Sequence, residues 1–436
     1  MSKYHAYPEY KDSGVEWLGD IPSKWKLCRL KFLAKIKNGQ DYKSVEAEEG
    51  YPVIGSGGQF TYASQFTYNR ESVLLGRKGT IDKPLYINEP FWTVDTMYYT
   101  EINGDVCPKY LYYLALTIQF GRYATNTALP SMTQEHLGNY FFAVPSGEIE
   151  KKIIANFLDH ETAKIDTLIE KQQQLIQLLK EKRQAVISHA VTKGLSSLNG
   201  GPNAKMRDSG VEWLGEVPEH WVQIKTKHIL IAIIDAEHKT AEYFEDGTYL
   251  VCRTTNVRDG VLKLDGGKYT NQETYLEWIK RGVPEPGDIL FTREAPAGEA
   301  CIVPDEPVLC LGQRMVLFKL NKSIVDSQFV LYSIYSGLAD DFIKQLSQGS
   351  TVSHMNMADI INIPLFEISL AEQKEIVKYL DRVLSQYDEL QKNAELTVEL
   401  IQERRTALIS AAVTGKIDVR DWVAPPASPT HKEVAA

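Results

Sequence analysis

An internal repeat constrains this chain more than any other feature of its sequence. The octet DSGVEWLG occurs at Asp12–Gly19 and again, unchanged, at Asp208–Gly215, 196 positions later. Each copy continues into a proline and a second tryptophan, which is Trp25 in the first copy and Trp221 in the second. Chance does not produce an identical octet in this context, so the chain contains two copies of one structural plan.

A second repeat has a different spacing. EKRQAVISHAVT (Glu181–Thr192) matches ERRTALISAAVT (Glu403–Thr414), 222 positions later, and the same spacing aligns Phe157–Asp159 with Tyr379–Asp381. The second copy therefore holds 26 additional residues between its two repeated blocks. Each half has a shared start, a divergent middle and a shared end. One interpretation is an old duplication with a purely structural meaning; the other is that two domains on one plan acquired different recognition properties.

The shared ends have the pattern of long helices. Apolar residues recur about every 3.5 positions in both, and neither Glu148–Thr192 nor Leu370–Thr414 contains proline. Ser369 and Glu372 form a capping box at the start of the second helix, and a glycine soon after each helix marks its end. At 1.5 Å per residue, about 45 residues give a helix of roughly 65 Å.

A helix of this length cannot bury its apolar stripe alone, and the best partner for each copy is the other copy. We expect the two helices to pair antiparallel, with one divergent domain at each end. The alternative is that each helix packs on its own domain. The predicted fold class is α+β, with two mixed α/β domains in a pseudo-two-fold arrangement and two long coiled-coil-like helices between them. The predicted segments are 1–147, first domain; 148–194, first helix; 195–368, linker and second domain; 369–416, second helix; and 417–436, a tail that is disordered after about 422.

The divergent middles are rich in short β-type runs broken by turns, such as SVLLGRKGT and GDILFTREAPAGEACIV. Helices are predicted at Lys109–Phe120 and Asp326–Leu346. The glycine cluster at 55–58 lacks the spacing of a dinucleotide-binding loop and is interpreted as a plain turn. Ser196–Lys205, SSLNGGPNAK, has the composition of a flexible linker.

Composition excludes several classes of protein. No segment approaches the about 20 apolar residues that cross a bilayer, and the first residues do not have the pattern of a signal peptide. The five cysteines are scattered, with neither a disulfide framework nor the spacing of a zinc site. We therefore expect a protein of the reducing cytoplasm that holds no metal.

The familiar catalytic motifs are absent from the sequence. There is no G-x-x-x-x-G-K-[ST] phosphate loop, no H-E-x-x-H pair and no N-P-P-[YF] tetrapeptide of adenine methyltransferases. The net charge is −9, and residues 1–147 hold 15 basic and 15 acidic residues while residues 195–368 hold 16 and 24. Because phosphate neutralisation drives most nucleic-acid affinity, this balance predicts weak non-specific binding by the chain alone. If the chain reads DNA, a few placed residues do so and a partner supplies most phosphate contacts.

The repeated blocks and several stretches of the middles resemble the specificity subunits of Type I restriction–modification systems, over nearly the whole chain to about Trp422. The stretches are LLGRKGTIDKP and FWTVDTMYYT in the first half and GDILFTREAPAGEA, LGQRMVLFK, STVSHMNMADIINIPL and AEQKEIVKYLD in the second. The lead into the first helix, FFAVPSGEIEKK, departs from the proline-rich form that is usual in the family.

The resemblance implies a host-defence protein with two target-recognition domains that read the two halves of a split, asymmetric site in double-stranded DNA. It implies that the paired helices space the domains and dock two copies of an adenine-methyltransferase subunit, through which restriction subunits join. It implies no catalysis and no cofactor in this chain. S-adenosylmethionine would belong to the methyltransferase, and ATP and Mg²⁺ to the restriction subunit.

Direct readout of base edges requires side chains with paired donors or acceptors, such as arginine or lysine for guanine and asparagine or glutamine for adenine. Some of the candidates hold the fold or contact phosphate instead, which positions the protein without specifying sequence. The candidate DNA-binding residues are Arg77, Lys78, Asn126 and Ser131 in the first domain, and Arg253, Thr255, Asn256, Arg258, Arg293, Gln313, Arg314, Thr351 and His354 in the second.

The tryptophans of the shared starts occur in both halves, so they cannot encode two different DNA sequences. We predict a structural role for Trp17, Trp25, Trp213 and Trp221. Two other functional classes remain open at this point. A coiled-coil scaffold without nucleic-acid function predicts no sequence-dependent DNA binding even with partners present. A self-sufficient nuclease or methyltransferase predicts activity from the purified chain alone.

Overall fold

The structure is a computed structural model that describes residues 4–123, 130–195, 205–212, 214–294, 296–346 and 354–425. Asn126, Thr351 and Trp213 lie outside the described residues, as do most of the predicted linker and the tail from residue 426, whose predicted disorder is therefore untested. The chain divides into two compact units, Met1–Gln173 with Glu395–Ala436 and Gln174–Ala394. Two long helices, α4 (Glu148–Lys193) and α9 (Leu370–Val413), each contribute to both units.

The first unit contains the first divergent middle, folded as short strands and helices. The strands are β1 (Tyr10–Asp12), β2 (Asp20–Pro22), β3 (Lys26–Arg29), β4 (Ala34–Asn38), β5 (Glu46–Ala47), β6 (Tyr51–Gly55), β7 (Gly58–Ala63), β8 (Ser72–Gly76), β9 (Leu85–Ile87), β10 (Trp92–Thr93), β11 (Met97–Ile102) and β12 (Phe141–Val144). The helices are α1 (Leu30–Leu33), α2 (Pro108–Ala115) and α3 (Gln134–Asn139). The predicted glycine turn at 55–58 joins β6 to β7.

The second unit contains the second middle, again mixed α/β. Its strands are β13 (Met206–Asp208), β14 (Glu216–Pro218), β15 (Val222–Lys225), β16 (Leu230–Asp235), β17 (Tyr249–Cys252), β18 (Val257–Arg258), β19 (Val261–Leu262), β20 (Tyr269–Thr270), β21 (Ile289–Thr292), β22 (Ala300–Ile302), β23 (Leu309–Leu311), β24 (Met315–Leu320) and β25 (Pro364–Glu367). Its helices are α5 (Gln272–Trp278), α6 (Ser327–Ile334), α7 (Gly337–Leu346) and α8 (Met357–Ile360).

The two units share one sheet plan. The order β4-β11-β8-β9 in the first corresponds to β16-β24-β21-β22 in the second, with antiparallel pairing throughout. A second sheet follows the same correspondence, since β6 is parallel to β10 and β17 is parallel to β23. The second unit differs by the hairpin β18–β19 and helix α5, which lie between β17 and β21 in sequence.

The two predicted short helices are only partly right. Helix α2 ends at Ala115 rather than Phe120. The amides of Thr117 and Ile118 donate to the carbonyls of Leu114 and Ala115, three residues earlier, so the chain leaves the α-helix through a tighter turn. The helix predicted at Asp326–Leu346 is two helices. It breaks at Tyr335, whose hydroxyl donates to Glu299 and is thereby held beside β22.

The predicted helix ends are confirmed. The Ser369 hydroxyl accepts a hydrogen bond from the Glu372 amide at 3.2 Å, which is the serine half of the predicted capping box, while the Glu372 carboxylate accepts from Trp221. Gly194 and Gly415 follow the two helices with positive φ angles of 70° and 75°. At Gly415 a Cβ would lie 2.4 Å from Cγ of Pro22, so a side chain is excluded where α9 ends against the repeated start.

Antiparallel pairing of α4 and α9 is also confirmed, within each unit separately. In the first unit Asp166 of α4 binds Arg405 near the end of α9, and in the second Arg183 near the end of α4 binds Asp388 near the start of α9. The alternative of two helices that each pack only on their own domain is wrong. Part of the predicted apolar stripe remains exposed, including Leu168.

Two of the repeated tryptophans, Trp25 and Trp221, lie in the core, as predicted for a structural role. Trp25 and Trp221 are 1% and 0% exposed, and their indole Nε1 atoms donate to Glu150 and Glu372 at 2.9 and 3.0 Å. Each tryptophan belongs to a core that includes the first turns of one long helix and the last turns of the other. Trp17 is partly buried and lies against Tyr140.

Candidate nucleic-acid interface

In the first unit, several chain segments meet just beyond the end of β8. The amide of Arg77 donates to the carbonyl of Thr96 at 2.9 Å, and the amide of Met132 donates to the carbonyl of Arg77 at 2.9 Å. Lys78 forms an isolated β-bridge with Ser131. Strand β8 ends at Gly76, so three of the candidate residues of this unit lie at one end of the central sheet.

The same backbone pattern occurs in the second unit, beyond the end of β21. The amide of Arg293 donates to the carbonyl of Arg314 at 3.0 Å, and the amide of Met355 donates to the carbonyl of Arg293 at 2.9 Å. Glu294 forms an isolated β-bridge with His354. Three further candidates therefore meet at the corresponding end of the corresponding sheet.

These contacts define four equivalent positions, three of which carry different side chains in the two units. We call the set in each unit the sheet-end cluster. The equivalent pairs are Arg77 and Arg293, Lys78 and Glu294, Thr96 and Arg314, and Ser131 and His354.

The sheet-end cluster of the first unit is basic. The guanidinium of Arg77 is half-buried, lies 5.8 Å from the ring centre of Tyr98 and donates to the carbonyl of Asp95 at 3.2 Å. Lys78 is exposed and forms no ion pair among the residues that the structure describes. Cationic donors at this edge have the chemistry that binds guanine N7 and O6 or a phosphate.

The sheet-end cluster of the second unit is a network of opposite charges. Arg293 is 9% exposed and donates through Nη1 to Asp235 at 2.7 Å. The Glu294 carboxylate binds Nδ1 of His354 at 2.7 Å through one oxygen and Nε of Arg314 at 3.1 Å through the other. Arg293 is therefore buried and ion-paired, whereas the side chains of Arg314 and His354 are more exposed.

Arg314 has a backbone conformation that is uncommon for a residue with a side chain. Its φ angle is +68°, in the left-handed region that favours glycine. The strained residue lies directly before β24, and its carbonyl accepts the hydrogen bond from Arg293. Such strain tends to occur at functional sites, so it agrees with the candidate role of Arg314.

A neighbouring loop brings two more candidates to the same edge. Arg253 follows β17 and Gln313 follows β23, and these two strands are parallel neighbours. The amide of Gly312 donates to the Cys252 carbonyl at 2.7 Å, where a Cβ on the glycine would lie 2.7 Å from that oxygen. The close approach requires glycine and brings the residues that follow the two strands together.

The other candidates of this loop have distinct environments. Asn256 is 0% exposed; its side-chain oxygen accepts from the Arg253 amide at 3.0 Å, and its Nδ2 donates to the Lys263 carbonyl at 2.9 Å. These bonds organise the loop. Thr255 is exposed. Arg258 belongs to the hairpin β18–β19, and its guanidinium lies 3.9 Å from the carboxylate of Glu299.

Sequence reasoning missed the acidic members of the second cluster, Asp235 and Glu294. Carboxylates can also accept hydrogen bonds from bases, and the sequence signal for Glu294 is its place directly after Arg293. Among the described residues, no group of histidine, cysteine, aspartate and glutamate could hold a metal ion. None of the helices in the described part of the chain is long and apolar enough to cross a membrane.

The two units share one sheet plan and differ in the side chains at equivalent loops, and each includes paired segments of the two long helices. These features are those of a two-domain recognition subunit. The chain belongs to the family of the Type I restriction modification DNA specificity domain, whose family model matches residues 22–178 and 218–399. It is a DNA-recognition subunit of this class of system and not itself an enzyme, as the sequence predicted.

Relatives match along almost the whole chain. The chain is 24% identical over 442 residues to the Type I restriction enzyme EcoBI specificity subunit of Escherichia coli, which covers 96% of this chain and 91% of that protein. It is 24% identical over 422 residues to the MjaVIII specificity subunit of Methanocaldococcus jannaschii, covering 92% and 95%. A chain from a solved structure on complex assembly and conformational transition of the type I R-M system matches 90% of this chain and 98% of its own length, with a TM-score of 0.60 and 16% identity, which supports the fold.

Proposed function

We propose that the chain reads a bipartite, asymmetric site in double-stranded DNA, with one half read by each unit. The observation that carries the proposal is the pair of sheet-end clusters. The units share an arginine at one position, Arg77 and Arg293, but the neighbouring positions carry Lys78 and Ser131 in one unit and Glu294 and His354 in the other. Unlike side chains at equivalent positions select unlike base pairs, so the two half-sites differ and the site is not a palindrome.

The candidate residues divide by exposure into two roles. Arg293 and Asn256 are buried and hydrogen-bonded within their unit, so we assign them to positioning the loops. The residues with exposed or half-exposed side chains are assigned to contacts with bases or phosphates: Arg77, Lys78, Ser131, Arg253, Thr255, Arg258, Gln313, Arg314 and His354. Asn126 and Thr351, outside the described residues, remain candidates for the same role.

A domain exchange tests the two-reader proposal. Phe32–Val144 is replaced by the corresponding segment of a relative, and the methylated motif of the reconstituted complex is read by sequencing. The expected result is that one half of the motif changes while the other half stays the same. A change in both halves together would overturn the proposal, because recognition would then be a joint property of the chain. If the complex shows no sequence preference with partners present, the chain is better explained as a scaffold. If the purified chain alone cleaves or methylates DNA, it is an enzyme.

Two exposed leucine surfaces support docking of two adenine-methyltransferase subunits. Leu168 of α4 and Leu400 of α9 are 49% and 55% exposed in the first unit. Leu390 of α9 and Leu178 of α4 are 54% and 56% exposed in the second unit. The 222-residue spacing relates Leu168 to Leu390 and Leu178 to Leu400, so each surface takes one leucine from each helix.

The surface of the first unit adjoins a groove suited to an amphipathic partner helix. The groove has a volume of about 600 Å³, and its lining includes Leu168 and Ile401 together with the charged residues Glu161, Lys164 and Arg404. Leu400 lies one turn from Arg404 on the same helix face. An apolar stripe bordered by charges of both signs is the pattern that a partner helix covers in a helix bundle.

The remaining partners and cofactors follow from this assignment. The methyltransferase subunits would hold S-adenosylmethionine, and restriction subunits that use ATP and Mg²⁺ would join through them; this chain would need no cofactor. The partners would also supply the phosphate contacts that a recognition chain with a net charge of −9 lacks. Such a complex would act on DNA in the cytoplasm.

A further inference from the structure

Glu294 occupies the position at which the two sheet-end clusters differ most in charge. It follows Arg293 after β21, and its side chain is 26% exposed. The equivalent residue of the first unit is Lys78, which is exposed. One backbone position therefore presents a cation in one unit and a carboxylate in the other.

A carboxylate at a DNA-facing edge is costly unless it has a specific task, because phosphates repel it. Arg314 lies 3.1 Å from one Glu294 oxygen, and His354 lies 2.7 Å from the other. Both neighbours orient the carboxylate, and the guanidinium of Arg314 offsets its charge. An ionised carboxylate has about four acceptor sites, so about one on each oxygen remains for a further donor.

We propose that Glu294 determines specificity in the second unit by accepting a hydrogen bond from the N4 amino group of cytosine in the major groove; this rests on the proposed function above. Cytosine presents a donor there, and guanine and thymine present acceptors that repel a carboxylate. Adenine presents its N6 donor beside the N7 acceptor, which suits an amide better than a carboxylate. Arg314 and His354 act as positioning residues for Glu294 in addition to their own candidate contacts.

The test uses the full chain with its methyltransferase partner and reads the methylated motif by sequencing. In Glu294→Gln, the amide that replaces the carboxylate matches the N6 and N7 edge of adenine. The expected result is that one C·G position of the second half-site loses about 5- to 150-fold of its discrimination and admits A·T. The first half-site stays unchanged, and Glu294→Asp retains the preference for cytosine.

The matched control is Glu285→Gln. Glu285 is also ion-paired, with Lys319 at 3.2 Å, but it precedes β21 and so lies at the opposite end of the same strand. This variant is expected to keep the wild-type motif. Thermal unfolding of all variants separates a change in reading from a loss of folding.

Three outcomes overturn the inference. They are an unchanged motif in Glu294→Gln, a uniform loss of methylation at every sequence with a folded protein, and a second half-site that contains no C·G pair. Each leaves the proposed function intact as long as the wild-type complex methylates a bipartite motif. If the wild-type complex shows no sequence preference, the proposed function itself fails.

Discussion

Asp166 accepts two hydrogen bonds from Arg405, from Nε at 2.8 Å and from Nη2 at 3.2 Å. In the second unit Arg183 donates through Nε to Asp388 at 3.2 Å. The 222-residue spacing maps Asp166 onto Asp388 and Arg183 onto Arg405. Each ion pair thus joins the aspartate of one repeat to the arginine of the other, as antiparallel pairing of two related helices requires.

These two ion pairs should differ in strength. Both are partly exposed, so solvent screening limits each coupling free energy to about 1 kcal/mol or less. The pair of Asp166 and Arg405 is bidentate and should approach that limit, whereas the single bond of Arg183 should contribute about 0.3 kcal/mol. Double-mutant cycles with Asp166→Asn, Arg405→Gln and their repeat equivalents, followed by urea unfolding, measure both. A larger coupling for Arg183 with Asp388 would contradict the geometry.

Trp25→Phe and Trp221→Phe should each lower the free energy of unfolding by about 2 kcal/mol. Each leaves a cavity in a repeated core and removes the donor to a glutamate, Glu150 or Glu372. Trp17→Phe is the control, since its indole N–H has no hydrogen-bond partner among the described residues and its loss should be smaller. The methylated motif should stay the same in all three, and a changed motif would contradict the structural role.

Arg77→Ala should relax one base position in the half-site of the first unit and cost about 1–3 kcal/mol of binding free energy, if Arg77 binds guanine. Arg314→Ala should do the same in the second half-site only. Competition binding of site variants at several salt concentrations measures both effects. Weaker binding to all sequences, with a shallower salt dependence, would instead identify a phosphate contact.

Leu168→Glu should reduce the number of bound methyltransferase subunits from two to one. A charge in the apolar surface of the first unit opposes burial against a partner helix, while the surface of the second unit stays intact. Leu390→Glu, its repeat equivalent, should give the same stoichiometry, and the double variant should bind none. Native mass spectrometry with excess partner measures this. A two-to-one complex in the double variant would show that the partners dock elsewhere.

Three of the five cysteines should resist alkylation in the folded protein. Burial raises the pKa of Cys301 and of Cys310 to about 12, and burial also raises that of Cys252. At pH 8 a thiol with a pKa of 12 is about one ten-thousandth thiolate, the reactive form. Mass spectrometry after iodoacetamide treatment should find these three unmodified in the native protein and all five modified in denaturant. Native modification of Cys301 would contradict its burial.

The sequence alone predicted the elements that depend on local or periodic patterns. The 222-residue repeat, the apolar period and the cap at Ser369 predicted both long helices and their antiparallel pairing. These features follow from residues a few positions apart, or from a match between two copies of the same segment. For the same reason the repeated start, with a second tryptophan after the octet in each copy, was enough to predict the structural role of Trp25 and Trp221.

The equivalence of the two sheet-end clusters was decided only by the tertiary structure. Arg77 and Arg293 are 216 positions apart, a spacing that matches neither repeat, because β18–β19 and α5 extend the second middle. Strand pairing brings together segments that are distant in the chain, so no local pattern records which loops meet. The charged network of the second unit comes from four such segments, which contain Asp235, Glu294, Arg314 and His354. Their side chains meet because these segments reach the same edge of the sheet. The sequence determined the two-copy plan, and the non-local contacts of the sheet determined which side chains meet in the two sheet-end clusters.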